Sequence, residues 1–172
     1  WKVNCEEERL LGVSLTGIMD NDLTNGHDLI SPTEIDELSE QLEFLKEKAL
    51  GQNKWMSDQI GVNSSSAITA IKPSGTVSQL VDSASGIHTR HSPYYIRTVR
   101  GDKKDPITKL MIEQGVPYED DVVKPETGAV FSFPMESPKD ALCRNDLSAI
   151  DQLVLHAVYG EAFTEHKVSQ TI

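Results

Sequence analysis

Apolar residues along the chain fall into two periods. Between Leu10 and Leu15, Val13 and Leu15 alternate with Ser14 and the small Gly12, and this period of two predicts a short strand. From Ser31 the period changes. Ile35, Leu38, Leu42, Leu45 and Ala49 recur at steps of three and four and predict one apolar helical stripe, with Glu37, Glu40, Glu43 and Glu47 on the solvated face. Ser31-Pro32-Thr33-Glu34 offers an N-cap, a proline at the first helical position and a capping-box glutamate, and Gly51 predicts the stop. A second short helical stretch is expected from Trp55 to Ile60. Ser64-Ser65-Ser66 then reads as a loop leading into a compact strand, Ala67 to Ile71. Further on, Tyr94 to Arg100 is extended, and Asp105-Pro106 opens a helix with Ile107, Leu110 and Met111 as its apolar positions and Gly115 as its close. A strand from Ala129 to Phe133 follows. The pattern ends with a helix from about Leu147 to Phe163, with Ile150, Leu153, Val154, Ala157 and Val158 inward, and a terminal strand, Val168 to Ile172.

Short apolar strands separated by amphipathic helices predict an α/β architecture with some strands parallel and covered by helices. Periodicity does not separate an open sheet from a barrel. So few strands would make a poor free-standing barrel, so part of the sheet is expected elsewhere. The length, 172 residues, fits a single domain over 1–172, and the Trp1 start and strand-like end suggest a piece of something longer. An apolar share of 38% excludes disorder throughout, and a formal charge of −11 argues against a nucleic-acid partner. Two cysteines, Cys5 and Cys143, are too few for a disulfide framework and lack zinc-site spacing, which fits a reducing, cytoplasmic setting. No apolar run approaches a membrane span and no signal segment opens the chain, so no membrane partner is expected.

The stretch richest in chemistry is Ala67 to Leu80, read as buried strand, tight turn and helix start. Pro73 fixes the turn and Gly75 lets a ligand approach the backbone. The N–H groups of Thr76, Val77 and Ser78 are expected to point outward at the positive end of a helix dipole, with the hydroxyls of Ser74, Thr76 and Ser78 as further donors. That is an anion site. It lacks the Gly-Lys-Ser/Thr of a P-loop and the three-glycine dinucleotide fingerprint. The same serines and threonines serve equally as helix caps, and spacing alone leaves both readings open.

Six segments in order carry a resemblance: Arg9 to Ile18, Lys72 to Ser78, Ser85-Gly86-Ile87-His88, Tyr94 to Arg100, Phe131-Ser132-Phe133-Pro134 and Lys167 to Ile172. Together they resemble the second half of the catalytic subunit of the monomeric, adenosylcobalamin-dependent ribonucleoside-triphosphate reductases. The resemblance implies the later strands and helices of a ten-stranded α/β barrel, with Pro73, Ser74, Gly75, Thr76, Val77 and Ser78 gripping the substrate's phosphates. It also implies adenosylcobalamin as cofactor of the complete enzyme, a ribonucleoside triphosphate as substrate and a thiol reductant. The rest of the reductase, on the same chain or as a complementary split subunit, is the expected partner. In that family a cobalt–carbon bond breaks homolytically, a cysteine thiyl radical takes the ribose 3′-hydrogen, and two further cysteines reduce the 2′-position.

Departures from the family pattern limit what carries over. Asn4 is adjacent to Cys5 instead of two residues before it, and the Arg9 to Ile18 segment follows too soon for the radical-bearing finger loop. Cys5 is therefore read as an ordinary cysteine, and no catalytic residue is expected in this chain. Cys143 lies among charges that would lower its pKa, yet outside every matched segment. His88 and His91 flank Arg90 without further ligands at metal spacing, and His27, His156 and His166 are no better placed, so hydrogen bonding is expected of them and no metal. Arg97 and Arg100, expected on one side of the Tyr94 to Arg100 segment, could face a phosphate or a corrin side chain, with ion pairs in so acidic a chain as the simpler account. Two other readings stand beside the reductase: a non-catalytic nucleotide- or phosphate-binding α/β module, and an interaction domain resting on the acidic helix Pro32 to Leu50.

Overall fold

The computed structural model describes residues 1–26 and 31–165, so His27, His166 and the expected strand Val168–Ile172 lie outside the described residues. Two compact units emerge among them, one from residues 1–26, 31–91 and 138–165 and one from Ser92–Ser137.

The first unit contains helix α1 (Lys2–Glu8), strand β1 (Val13–Ser14), a 3-10 turn (Ile18–Asp20), helix α2 (Pro32–Ile60), strand β2 (Thr69–Ala70), helix α3 (Val77–Leu80) and helix α5 (Ala149–Ala162). β1 and β2 pair in parallel, Val13 with Thr69 and Ser14 with Ala70, and α2 forms the connection that a parallel pair requires. Both strands are shorter than the pattern predicts, although Leu11 N–H also reaches the Ala67 carbonyl at 3.3 Å. α2 and α5 pack over a core of Ile18, Met19, Leu38, Leu42, Ile71, Ile87, Leu155, Val158, Tyr159 and Phe163. The hydroxyl of Tyr159 donates to the Thr24 carbonyl at 2.9 Å, and burial pushes its pKa well above the usual phenol range.

Four helix expectations need correction. Gly51 does not end a helix: α2 runs through it as 29 residues and absorbs the second predicted stretch. An interior glycine costs only about 1 kcal/mol against alanine, which the flanking turns outweigh. The true stop is Gly61, at φ 68°, whose N–H returns to the Ser57 carbonyl. Ser31 and Pro32 do open the helix, but without a side-chain cap. On α5 the inward face is Leu155, Val158, Tyr159 and Ala162, while Ile150 and Leu153 are exposed. That helix is apolar nearly all round, so its pattern did not choose a face. Its start is set by a capping box between Ser148 and Asp151.

The second unit is a three-stranded antiparallel sheet in the order β3 (Tyr94–Asp102), β5 (Gly128–Glu136), β4 (Tyr118–Asp120), with helix α4 (Pro106–Glu113) in the connection. β3 and β5 pair in register from Tyr94 opposite Glu136 to Asp102 opposite Gly128. Asp105 caps α4 by accepting from Ile107 N–H. Thr108 is the buried residue of that helix, while Ile107 and Leu110 are exposed and Met111 half-buried. Arg100 pairs with Asp121 at 3.1 Å, in line with the ion-pair account. A spacing of three along a strand places Arg97 and Arg100 on opposite faces.

Candidate functional site

The loop from Lys72 to Ser78 leaves β2 at the surface of the first unit, and three of the sequence segments meet there. Ser14 and Thr16, two residues apart and so on one side of the β1 segment, reach across to it. Ser14 Oγ accepts from Lys72 N–H at 3.0 Å, and Thr16 Oγ1 lies 2.9 Å from Ser74 Oγ. From the other side comes Gly86, at φ 53°, where a Cβ would stand 2.7 Å from the Lys72 carbonyl oxygen. Only glycine tolerates both that backbone angle and that approach. The loop is thus held at Lys72 and Ser74, and its remaining residues face outward. Gly75, Thr76 and Val77 are exposed, and a Cβ at Gly75 would meet nothing within 4 Å.

The donors differ from expectation. Among the described residues the amides of Ser74, Thr76 and Val77 reach no protein acceptor. The Ser78 amide is not available: it returns to the Ser74 carbonyl at 3.3 Å, as does the Ser78 hydroxyl, and Ser78 is buried. Ser74's hydroxyl is engaged with Thr16. Of the three hydroxyls expected as donors, Thr76 is the one left uncommitted. α3 is four residues long, so its dipole adds little, and the available groups are local amides. Lys72, exposed and outside every ion pair among the described residues, is a cation beside the loop that the sequence reading did not assign.

Behind the loop lies a charge cluster, buried at Arg90 and open at Asp82. Arg90, 4% exposed, holds Asp20 through Nε at 2.8 Å and Nη2 at 2.9 Å, and it reaches Asp82 at 3.1 Å. Asp20 also accepts from Ala84 N–H at 2.6 Å. The Ala84 carbonyl in turn accepts from Gly17 N–H at 2.8 Å and from Thr16 Oγ1 at 3.1 Å. A continuous polar chain thus runs from Arg90 through Asp20, Ala84 and Thr16 to Ser74. On the far side of β2, the Glu165 carboxylate accepts from Ile68 N–H at 2.6 Å and Thr69 N–H at 3.0 Å, bonds that hold its pKa below the usual range.

The other candidates are ordinary. Cys5 is exposed on α1. Cys143 is buried, and desolvation, aided by Asp146 and opposed by Arg90, raises its thiol pKa, against the lowering expected from its neighbours. His88 Nδ1 sits 3.2 Å from the Ser85 carbonyl, the local hydrogen bond expected of it. No group of three or more His, Cys, Asp or Glu gathers at metal-binding distance among the described residues. Nor is any helix among them long and apolar enough to cross a membrane. A groove of about 590 Å³ opens between β1 and the second half of α2, walled by Leu11, Val13, Met56, Ile60, Val62 and Ile68.

No family model matches the chain. Individual proteins do. It is 29% identical to the adenosylcobalamin-dependent ribonucleoside-triphosphate reductase of Lactobacillus acidophilus, over 100% of this chain and 26% of that protein. It is also 29% identical to the reductase of the same name from Euglena gracilis, over 68% of this chain and 16% of that protein. Its fold matches the crystal structure of a B-12 dependent (class II) ribonucleotide reductase with a TM-score of 0.76 at 21% identity, covering 98% of this chain and 26% of that one. Against the Lactobacillus protein the resemblance carried by the sequence segments therefore holds along the whole chain, which spans about a quarter of the length of that protein and of the solved structure. The two short sheets match part of that structure's fold.

Proposed function

We propose that this chain is the portion of an adenosylcobalamin-dependent ribonucleoside-triphosphate reductase that holds the substrate's phosphates, and that residues 1–172 are one piece of its catalytic barrel domain. The observation that carries the reading is the loop Pro73 to Ser78, braced from behind, exposed at Gly75, Thr76 and Val77, and presenting amides at Ser74, Thr76 and Val77 that have no acceptor among the described residues. Backbone N–H groups converging on a phosphate need no side-chain charge and leave the ribose end free to be oriented elsewhere. Space over Gly75 admits the phosphate oxygens, and Lys72 adds positive charge in an otherwise acidic chain.

Adenosylcobalamin supplies the radical in the complete enzyme. The groove beside β1 fits it poorly: its open surface is mainly hydrocarbon despite Arg9, Gln52, Asn53, Asn63 and Ser65 in its lining, whereas a corrin is fringed with amides that need hydrogen-bonding partners. The cofactor, the radical cysteine, the reducing cysteines and the thiol reductant's docking point are assigned to the rest of the reductase. The open apolar face supports that partner, since a surface of this kind is normally covered. The cytoplasm, where deoxyribonucleotides are made and thiols stay reduced, is the compartment that fits.

Two measurements test the reading. With adenosylcobalamin, dithiothreitol and CTP, this chain alone is expected to give no dCTP, and turnover would refute the assignment of the catalytic groups elsewhere. Calorimetric titration with CTP is expected to show binding that Gly75→Val abolishes. Equal binding by both would remove the loop from the substrate site.

A further inference from the structure

Thr16 has one hydroxyl proton and two acceptors within reach, the Ala84 carbonyl at 3.1 Å and Ser74 Oγ at 2.9 Å. Two arrangements satisfy the geometry. In the first, Thr16 donates to Ala84 and Ser74 donates to Thr16, so Ser74 turns only lone pairs to an incoming anion. In the second, Thr16 donates to Ser74, and the Ser74 proton is released to point elsewhere. The switch leaves no buried orphan, because the Ala84 carbonyl keeps the Gly17 N–H at 2.8 Å. Thr16 itself is held in place: Ser14, on the same side of the strand, binds Lys72 N–H, and Arg90 fixes Asp20, which fixes Ala84.

We propose that Thr16 is a positioning residue that sets the donor sense of Ser74, with a bound phosphate selecting the second arrangement so that Ser74 donates to the anion. The inference rests on the reading of the loop as the phosphate site and adds a residue 58 positions away in sequence. It explains why a loop meant to receive an anion keeps a serine whose proton is otherwise engaged: Thr16 accepts a hydrogen bond from that hydroxyl until charge arrives. No bond other than hydrogen bonds changes, and the proton stays on its own oxygen throughout.

The test is a double-mutant cycle on the full 172-residue chain, titrated calorimetrically with CTP and with inorganic triphosphate. Ser74→Ala is expected to weaken both probes about tenfold, the loss of one hydrogen bond to a charged acceptor, and Thr16→Val, which keeps that bond but leaves the Ser74 hydroxyl unaimed and unpolarised, about threefold. Thr16→Ser, which keeps the hydroxyl, should bind within about twofold of wild type. The double variant should bind no more weakly than Ser74→Ala alone, because Thr16 acts through Ser74. Multiplying effects, a silent Thr16→Val or a failed Thr16→Ser rescue would each overturn the inference. Far-ultraviolet circular dichroism checks folding, and Thr16→Ala, read by the same criteria, replaces Thr16→Val if the latter does not fold. Loss of binding in Gly75→Val with a silent Thr16→Val sinks this inference alone. A wild type that binds neither probe, or a silent Gly75→Val, sinks the loop reading beneath it and this inference with it.

Discussion

Gly86 and Gly75 make opposite demands on a methyl group, and comparing them tests whether the loop is braced from behind and open in front. At Gly86 an alanine must adopt φ near 53°, a left-handed conformation that costs an L-residue about 1–2 kcal/mol. Its Cβ would also sit 2.7 Å from the Lys72 carbonyl oxygen, so that carbonyl would have to retreat by roughly 0.7 Å to reach ordinary contact. Overpacking of this kind adds about 1–3 kcal/mol. Gly86→Ala is therefore expected to lose about 2–5 kcal/mol, a large share of a typical domain's stability. Gly75→Ala faces neither obstacle and should change stability by less than about 0.5 kcal/mol. Urea unfolding followed by circular dichroism measures both, with an unchanged m-value showing that the native state alone is affected. Because the displaced carbonyl belongs to the residue that opens the loop, Gly86→Ala should also weaken CTP binding in molecules that remain folded. A Gly86→Ala variant as stable as wild type, or a Gly75→Ala variant that is the more damaged, would refute this account of the loop.

Three other perturbations have defined outcomes. Arg90→Ala leaves Asp20 with its strongest donors gone, and since the arginine is 4% exposed, urea titration should show a loss of about 3–5 kcal/mol; a loss under about 1 kcal/mol would mean the cluster is solvated. Glu165 is stabilised as a carboxylate by Ile68 and Thr69 N–H, so its folded pKa lies below the ordinary value of 4.5; its stabilisation is present above that value and is lost as pH falls through the lowered one. Glu165→Gln should therefore be less acid-sensitive than wild type below about pH 4.5, and parallel stability curves would contradict the assignment. Native protein should react with Ellman's reagent at Cys5 only, with Cys143, 7% exposed and its thiol pKa raised by burial, following on denaturation; two fast equivalents would show that the Arg90–Cys143 region opens readily.

Helices were legible where apolar spacing and caps agreed. Leu38 and Leu42 were found inside α2, and Asp105-Pro106 at the head of α4. Gly51 misled because a local cost was read as a boundary, whereas Gly61 stops α2 by taking a left-handed angle that no spacing rule reveals. Strand β4 carries no alternation that could reveal it, because Tyr118, Glu119 and Asp120 all lie on the exposed side of the burial range. At the loop, the residues themselves could be picked out, but their hydrogen-bonding roles could not. Ser74's partner is 58 residues away and Thr16's acceptor is 68 residues away, so the number of free donors is set by tertiary contacts. The same holds for Arg90, a residue between two histidines in sequence that is the buried pivot of an ion cluster in space.

The uncovered wall of Leu11, Val13, Met56 and Ile60 gives the isolated polypeptide a colloidal character of its own. At low ionic strength the excess of eleven negative charges keeps molecules apart. At about 0.15 M salt that repulsion reaches only about 8 Å, and the hydrocarbon faces of neighbouring molecules can then meet. Added sulfate should therefore drive reversible clumping well before the fold is lost, and an unrelated protein with the same charge but a sealed surface would stay dispersed.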